Sequence, residues 1–231
     1  MEVRIAAEDI RKTFVLHLQG GMQLKVLSRL NLTIQAGECV AISGPSGTGK
    51  STLLRVLYAN YRPDHGKVWI HHRGEWLDLF AAKPYQILEI RRETIGYASQ
   101  FLRVIPRVPA LEIVMEPLRN LGYSPEECRF RAEALLRRLN IPERLWTVSP
   151  TLFSGGEQQR INLARSFIHP FPILLLDEPT AALDDQNRAV VIELIQEAKA
   201  RGAAVVGAFH DREVKEAVTT RSYHMPTEEV I

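Results

Sequence analysis

The chain has 231 residues, 29 of them basic and 27 acidic, so its formal charge is +2. Hydrophobic residues make up 45% and charged residues 24%, the balance of a globular α/β domain with a sizeable core. That balance excludes disorder, collagen-like repeats and coiled coil, and the small spread charge gives no electrostatic case for nucleic acid as a partner. Two cysteines, Cys39 and Cys128, cannot build a disulfide framework or a four-thiolate metal site, and Cys39 reads as a small buried hydrophobe. The N-terminus carries no signal pattern, and the longest apolar runs are strand-sized, near Ile173–Leu176 and Ala203–Phe209. These features predict a cytoplasmic protein without direct membrane insertion.

In chain order, the first forty residues alternate apolar and polar and predict antiparallel strands around a Gly20-Gly21 turn. Cys39–Ser43 predicts a buried strand, Ser51–Ala59 a helix, and Lys67–Leu79 a hairpin around Arg73-Gly74. Pro84–Glu93 then predicts a helix and Ile95–Ser99 a short strand. Helical spacing follows from Ala110 to Asn140, with Ser124 as N-cap before Pro125 and Ala132, Leu135, Leu136 and Leu139 as one apolar stripe. The chain closes on a helix after Ser154, a strand Ile173–Asp177, a helix Gln186–Arg201 ended by Gly202, and a strand Ala203–His210. Parallel strands separated by helices require a wound sheet. The expectation is one domain over 1–231 in which a helical lobe, roughly 105–152, interrupts the winding.

Gly44-Pro45-Ser46-Gly47-Thr48-Gly49-Lys50-Ser51, with Thr52 after it, fits G-x-x-x-x-G-K-[ST] between a strand and a helix. Glycines let backbone N–H groups turn inward around phosphates, and the following helix directs its positive end at them. Lys50 is placed to reach the β- and γ-phosphates of a nucleoside triphosphate, and Ser51 to ligate Mg²⁺. Chance produces the pattern in about one chain in a hundred, and the strand–loop–helix context cuts that further.

The apolar strand Ile173–Leu176 ends in Asp177-Glu178. Neighbouring strand residues face opposite ways, so Asp177 can address Mg²⁺ while Glu178 polarises an attacking water. Ser154-Gly155-Gly156 opens a helix and offers a second anion site, a weak signal by itself.

With these motifs in place, the chain resembles the ABC-type ATPases over nearly its whole length. Phe153-Ser154-Gly155-Gly156-Glu157-Gln158 is similar to the family signature, Asp177-Glu178 to Walker B and Ala182-Leu183-Asp184 to the D-loop. The resemblance implies the P-loop ABC-ATPase fold: a mainly parallel sheet, an N-terminal antiparallel β subdomain and a helical lobe. It implies that Gln100 is the glutamine linking metal and helical lobe, that His210 is the switch histidine at the γ-phosphate, and that Phe14 stacks on adenine. A plain core Phe remains the alternative for Phe14. It further implies a head-to-tail dimer of two chains, each ATP lying between one chain's phosphate loop and the other's Ser154, Gly155 and Gly156. Phe153 stands where Leu is usual and Glu157 where Gln is common. The chain ends soon after the switch strand, so the regulatory domain of some importers is expected to be absent.

Gln100-Phe101 to Ala110-Leu111-Glu112 resembles the lipoprotein-exporter cassettes. Four other stretches, Leu57–Tyr61, Phe101–Arg107, Asn140–Trp146 and Arg201–Ala204, resemble the ABC-type proteins of the bacterial carbon–phosphorus lyase system for phosphonates. That resemblance implies the lyase core complex and a second ABC protein as partners. The mixed stretch Phe101, Leu102, Arg103, Val104, Ile105 and Arg107 suits either a partner groove with acidic rims or packing between lobes.

Overall fold

The computed structural model describes residues 2–16, 18, 20–102 and 106–226. Arg103, Val104 and Ile105 of the stretch singled out above lie outside the described residues. In chain order the elements are β1 (Val3–Leu16), β2 (Met22–Gln35), β3 (Cys39–Ser43), α1 (Lys50–Leu57), β4 (His65–His72), β5 (Glu75–Asp78), α2 (Pro84–Glu93) and β6 (Ile95–Ala98). There follow α3 (Ala110–Asn120), α4 (Pro125–Arg138), α5 (Gly155–Phe167), β7 (Ile173–Asp177), α6 (Asp185–Ala200), β8 (Ala204–Ala208), α7 (Arg212–Val218) and β9 (Arg221–His224), with single 3₁₀ turns at Glu143–Leu145 and Pro150–Leu152.

Two sheets form. β2-β1-β4-β5 is antiparallel and β6-β7-β8-β3-β9 is parallel. The architecture is the α/β one expected, with a parallel sheet, an N-terminal antiparallel sheet and helices.

Strand alternation divides the core in two. Cys39, Ala41, Leu174, Leu176 and Val205 face one side of the parallel sheet and pack with buried residues of α3 to α7. Val40, Ile42, Leu175 and Val206 face the other and pack with α1 and the antiparallel sheet through Leu53, Leu54, Ile5, Leu30 and Ile70. Both faces are covered, so the central strands are continuously apolar. Each buried Leu, Ile or Val contributes about 1.5–3 kcal/mol. Burial pushes the Cys39 thiol up to about 12, which leaves it an inert core residue.

The helical block reads from sequence as a separate lobe, yet its core is continuous with the first face. Leu118, Ala132 and Leu136 pack in the same cluster as Ile161 and Leu163 of α5. Ser124 caps α4 as expected, its hydroxyl accepting from Glu127 N at 3.2 Å. α7 and β9 have no counterpart in the sequence reading. β9 extends the parallel sheet beyond β3, pairing Ile42 with Tyr223 and Ser43 with His224.

Candidate functional site

The loop after β3 turns into α1 through two left-handed glycines, Gly47 (φ 83°) and Gly49 (φ 88°). At Gly49 the requirement is doubled, because a Cβ there would stand 2.7 Å from Val26 Cγ1 and 2.8 Å from Val26 O of β2. The antiparallel sheet thus presses against the phosphate loop and admits only glycine. Lys50 Nζ donates to the carbonyls of Gly44 (2.8 Å) and Pro45 (2.9 Å), which hold its ammonium over the loop. Thr48 Oγ1 donates to Pro45 O at 2.9 Å and closes the turn. Ser46, Ser51 and Thr52 line the same cleft of about 460 Å³, together with Phe14, Glu178 and His210.

Phe14 is half-buried at that cleft rather than in the core. Its ring meets Tyr61 edge-on, with centroids 5.4 Å apart and planes at 73°. Tyr61 is in turn held by Arg55 Nη1, which donates to its hydroxyl at 3.0 Å. The sequence reading missed both Tyr61 and Arg55. Arg55 lies in the last turn of α1 and Tyr61 four residues past its end, and only the fold brings β1 beside them.

Strand β7 delivers the two acids to different neighbours. Ser51 Oγ donates to Asp177 Oδ1 at 2.9 Å, joining the phosphate loop to the strand end. Asp177 is fully buried, and burial pushes its carboxyl above the usual carboxylate range despite the Ser51 hydrogen bond and the nearby Arg55. Burial and the neighbouring Asp177 also push the Tyr97 phenol up to about 12.

Glu178 turns the other way. Its backbone is left-handed (φ 51°), a costly conformation for a residue with a side chain. Its Oε1 stands 2.8 Å from His210 Nε2, and its Oε2 accepts from Gln100 Nε2 at 3.2 Å. Gln100 and His210, chosen from two distant strand ends, therefore meet on one carboxylate. Gln159 of α5 is buried and was missed by sequence reasoning; its Nε2 donates to Pro179 O at 3.1 Å and pins the backbone after Glu178.

Ser154, expected to belong to the signature, is the N-cap of α5. Its Oγ and N donate to Glu157 Oε2 at 2.7 and 2.9 Å, and that pairing holds the Glu157 carboxyl below its usual range. A Cβ at Gly156 would stand 2.8 Å from Ala182 O, so the helix start and the loop before α6 touch backbone to backbone. Ser154, Gly155 and Gly156 do not line the cleft of the phosphate loop in the same chain. The structure thus brings together Lys50, Ser51, Asp177, Glu178, Gln100 and His210, while Gly155 borders a neighbouring pocket that it shares with Gln100 and Glu178.

The residues matched to the family described as ABC transporter are 27–181. The chain belongs to that family. It is 38% identical over 203 residues to an uncharacterised ABC transporter ATP-binding protein of Mycobacterium tuberculosis, covering 88% of this chain and 60% of that one. It is 40% identical over 212 residues to the macrolide export ATP-binding/permease protein MacB of Brucella abortus, covering 92% of this chain and 32% of MacB. It is also 33% identical over 210 residues to the uncharacterised ABC transporter ATP-binding protein YvrO of Bacillus subtilis, of which it covers 88%. The chain therefore spans 60% of the mycobacterial relative and about a third of MacB.

Among solved structures, the ATP-binding cassette MJ0796 as a dimer in a post-hydrolysis state with ADP and phosphate superposes with a TM-score of 0.85 at 33% identity. That match covers 96% of this chain and 94% of the other. The ABC-cassette fold is thereby shown. No helix among the described residues is long and apolar enough to cross a membrane.

Among the described residues no three His, Cys, Asp or Glu side chains converge as a protein-only metal cage. The Ser51 hydroxyl and Asp177 carboxylate are hard oxygen donors held 2.9 Å apart, a set that suits Mg²⁺ shared with nucleotide phosphates and water.

Proposed function

We propose that this chain hydrolyses ATP to ADP and phosphate, as one half of a head-to-tail pair of cassettes. The observation that carries this reading is the Glu178 carboxylate, held at both oxygens by His210 and Gln100 in the cleft of the phosphate loop. Lys50 balances the charge of the β- and γ-phosphates, and loop N–H groups surround them. Phe14 offers a ring face for the adenine. Ser51 and Asp177 would hold Mg²⁺, which supplies charge neutralisation on the phosphate oxygens.

Glu178 accepts a proton from the attacking water as its oxygen bonds the γ-phosphorus and the bond to the β-phosphate oxygen breaks. His210 and Gln100 fix the carboxylate's direction, and the buried floor around Asp177 keeps these charges in a low dielectric. Ser154, Gly155 and Gly156, which do not line their own chain's phosphate-loop cleft, serve the partner's ATP. The dimeric state of MJ0796 supports that arrangement. Steady-state ATPase assays and gel filtration of a Glu178→Gln variant with ATP test it. A chain without turnover, or a variant that stays monomeric with ATP, would remove the reading.

For the partner that receives the work, we propose an export permease in a membrane, reached from a cytoplasmic cassette. The names of the relatives support it, and so does a groove of about 350 Å³ beside Gln100, lined by Arg55, Tyr97, Asn162 and Arg165, with Phe101 exposed at its rim. Leu102, by contrast, packs on the core. A second reading rests on the four sequence stretches similar to the carbon–phosphorus lyase ABC proteins: docking on the soluble lyase core complex beside a second ABC protein. Pull-down of the tagged chain from phosphonate-grown cells, split into soluble and membrane fractions, decides between them. Co-purification with a permease selects the first and with the soluble lyase core the second.

A further inference from the structure

We infer that Asn140 and Asn187 are positioning residues that clasp the signature helix to Asp184, so that the surface offered to the partner's ATP is assembled before the two chains meet. The inference rests on the composite site proposed above and adds residues to it. Asn140 follows α4 in a left-handed turn (φ 53°). Its Nδ2 donates to Asn187 Oδ1 at 3.1 Å. Asn187 is buried in the first turn of α6, and its Nδ2 and N both donate to Asp184 Oδ1, at 2.7 and 2.9 Å. Asp184 as a carboxylate only accepts, which orients the Asn187 amide and leaves its oxygen for Asn140.

From the other side Arg160 of α5 reaches the same turn, its Nη1 donating to Leu139 O at 3.1 Å and Asn140 O at 2.6 Å. Gly156 lies against Ala182 O, which completes the circuit. The turn after α4 therefore ties together the signature helix and the start of α6. A buried Asn adds nothing to a core that an apolar side chain would not supply more cheaply, so its two bonds are its contribution. None of these residues lines the cleft of the phosphate loop. Loss of the clasp should loosen what a chain presents to its partner and spare what it binds itself.

The test uses the full chain in a Glu178→Gln background. Asn140→Gly keeps the left-handed turn and removes only the amide. Asn140→Asp keeps the shape but sets an acceptor against Asn187 Oδ1. By sedimentation, the ATP-dependent dimer should weaken about 2–10-fold in the Gly variant, the worth of one half-buried hydrogen bond, and further in the Asp variant. Nucleotide affinity of the monomer, by calorimetry, should stay within about twofold, which general destabilisation would not allow. Amide exchange at Asn187 should quicken in both variants while that of α1 holds. A parent that dimerises with ATP beside variants of equal dimer affinity overturns this inference alone. A parent that does not dimerise with ATP overturns the composite site and this inference together.

Discussion

Glu178 and His210 are joined twice, by Oε1 and Nε2 at 2.8 Å and by the register of the strands that carry them. β7 pairs with β8 so that Asp177 lies opposite Ala208, and Glu178 N then donates to Ala208 O at 3.0 Å. The strand ends are thus level, and each strand's next residues leave the sheet at the same edge. The loop after β3 leaves there too, because β3 pairs with β8 from Cys39–Val205 to Ala41–Gly207. A one-residue slip of β7 would move Glu178 into the place of Asp177, putting the wrong acid beside Ser51.

Lys50→Ala should abolish ATP binding. Lys50 is the loop's own point charge, and the carbonyls of Gly44 and Pro45 hold it in place. Calorimetry on the purified variant checks this, and unchanged affinity would show that the phosphates lie elsewhere.

Ser154→Arg should leave nucleotide binding by the monomer intact and block both ATP-sealed dimerisation and turnover. The hydroxyl and N–H of Ser154 already pair with Glu157, so the helix start has no room for a long cation beside a partner's phosphate. Wild-type turnover by this variant would mean that the signature completes no site across the dimer.

Asp177→Asn should raise the thermal midpoint of the nucleotide-free protein while weakening the Mg²⁺-dependent part of ATP binding. The folded carboxyl titrates above its unfolded value, chiefly through burial. A carboxyl raised in this way favours the folded state while protonated. It costs stability as pH climbs from the unfolded value through the folded one, and above that the full cost is present. The amide removes the buried charge and still accepts from Ser51. Melting curves across pH 4–8 should therefore converge at the acid end and separate at neutral pH; a lower midpoint for the variant at pH 7 would contradict this account.

Much of this arrangement is legible in the sequence because it is local. The loop from Gly44 to Ser51 and the acids after Ile173–Leu176 announce themselves by spacing, and β3, α2 and β7 fall where the pattern puts them. What escapes is either short or long-range. α7 has seven residues, and its one signal is Asp211 as N-cap, accepting from Val214 N at 3.2 Å. β9 is an edge strand with two exposed residues at its start and no apolar alternation. Tyr61 against Phe14 and Gln159 against Pro179 are contacts between distant segments, and neither residue type betrays its partner. The continuity of the helical block with the sheet core was equally hidden, because α4's apolar stripe says that it packs without saying on what.

Glu178→Gln gives the sharpest separation of roles. If Glu178 is the base as proposed, removing its charge should slow hydrolysis by about 10²–10⁴-fold, or about 3–5 kcal/mol of barrier. The amide has nearly the same shape, and its oxygen can still accept from Gln100 or His210. Lys50, Ser51 and Asp177 are untouched, so ATP affinity should hold. ATP that is bound and not cleaved should keep two chains together long enough for gel filtration to resolve them, whereas ADP should not. Asp177→Asn differs by losing Mg²⁺-dependent affinity first, and with it the dimer. Comparing the two variants at matched nucleotide occupancy separates a water-polarising acid from a metal-holding one. Near-normal turnover by Glu178→Gln would move the base elsewhere, and His210, 2.8 Å away, would be the next residue to change.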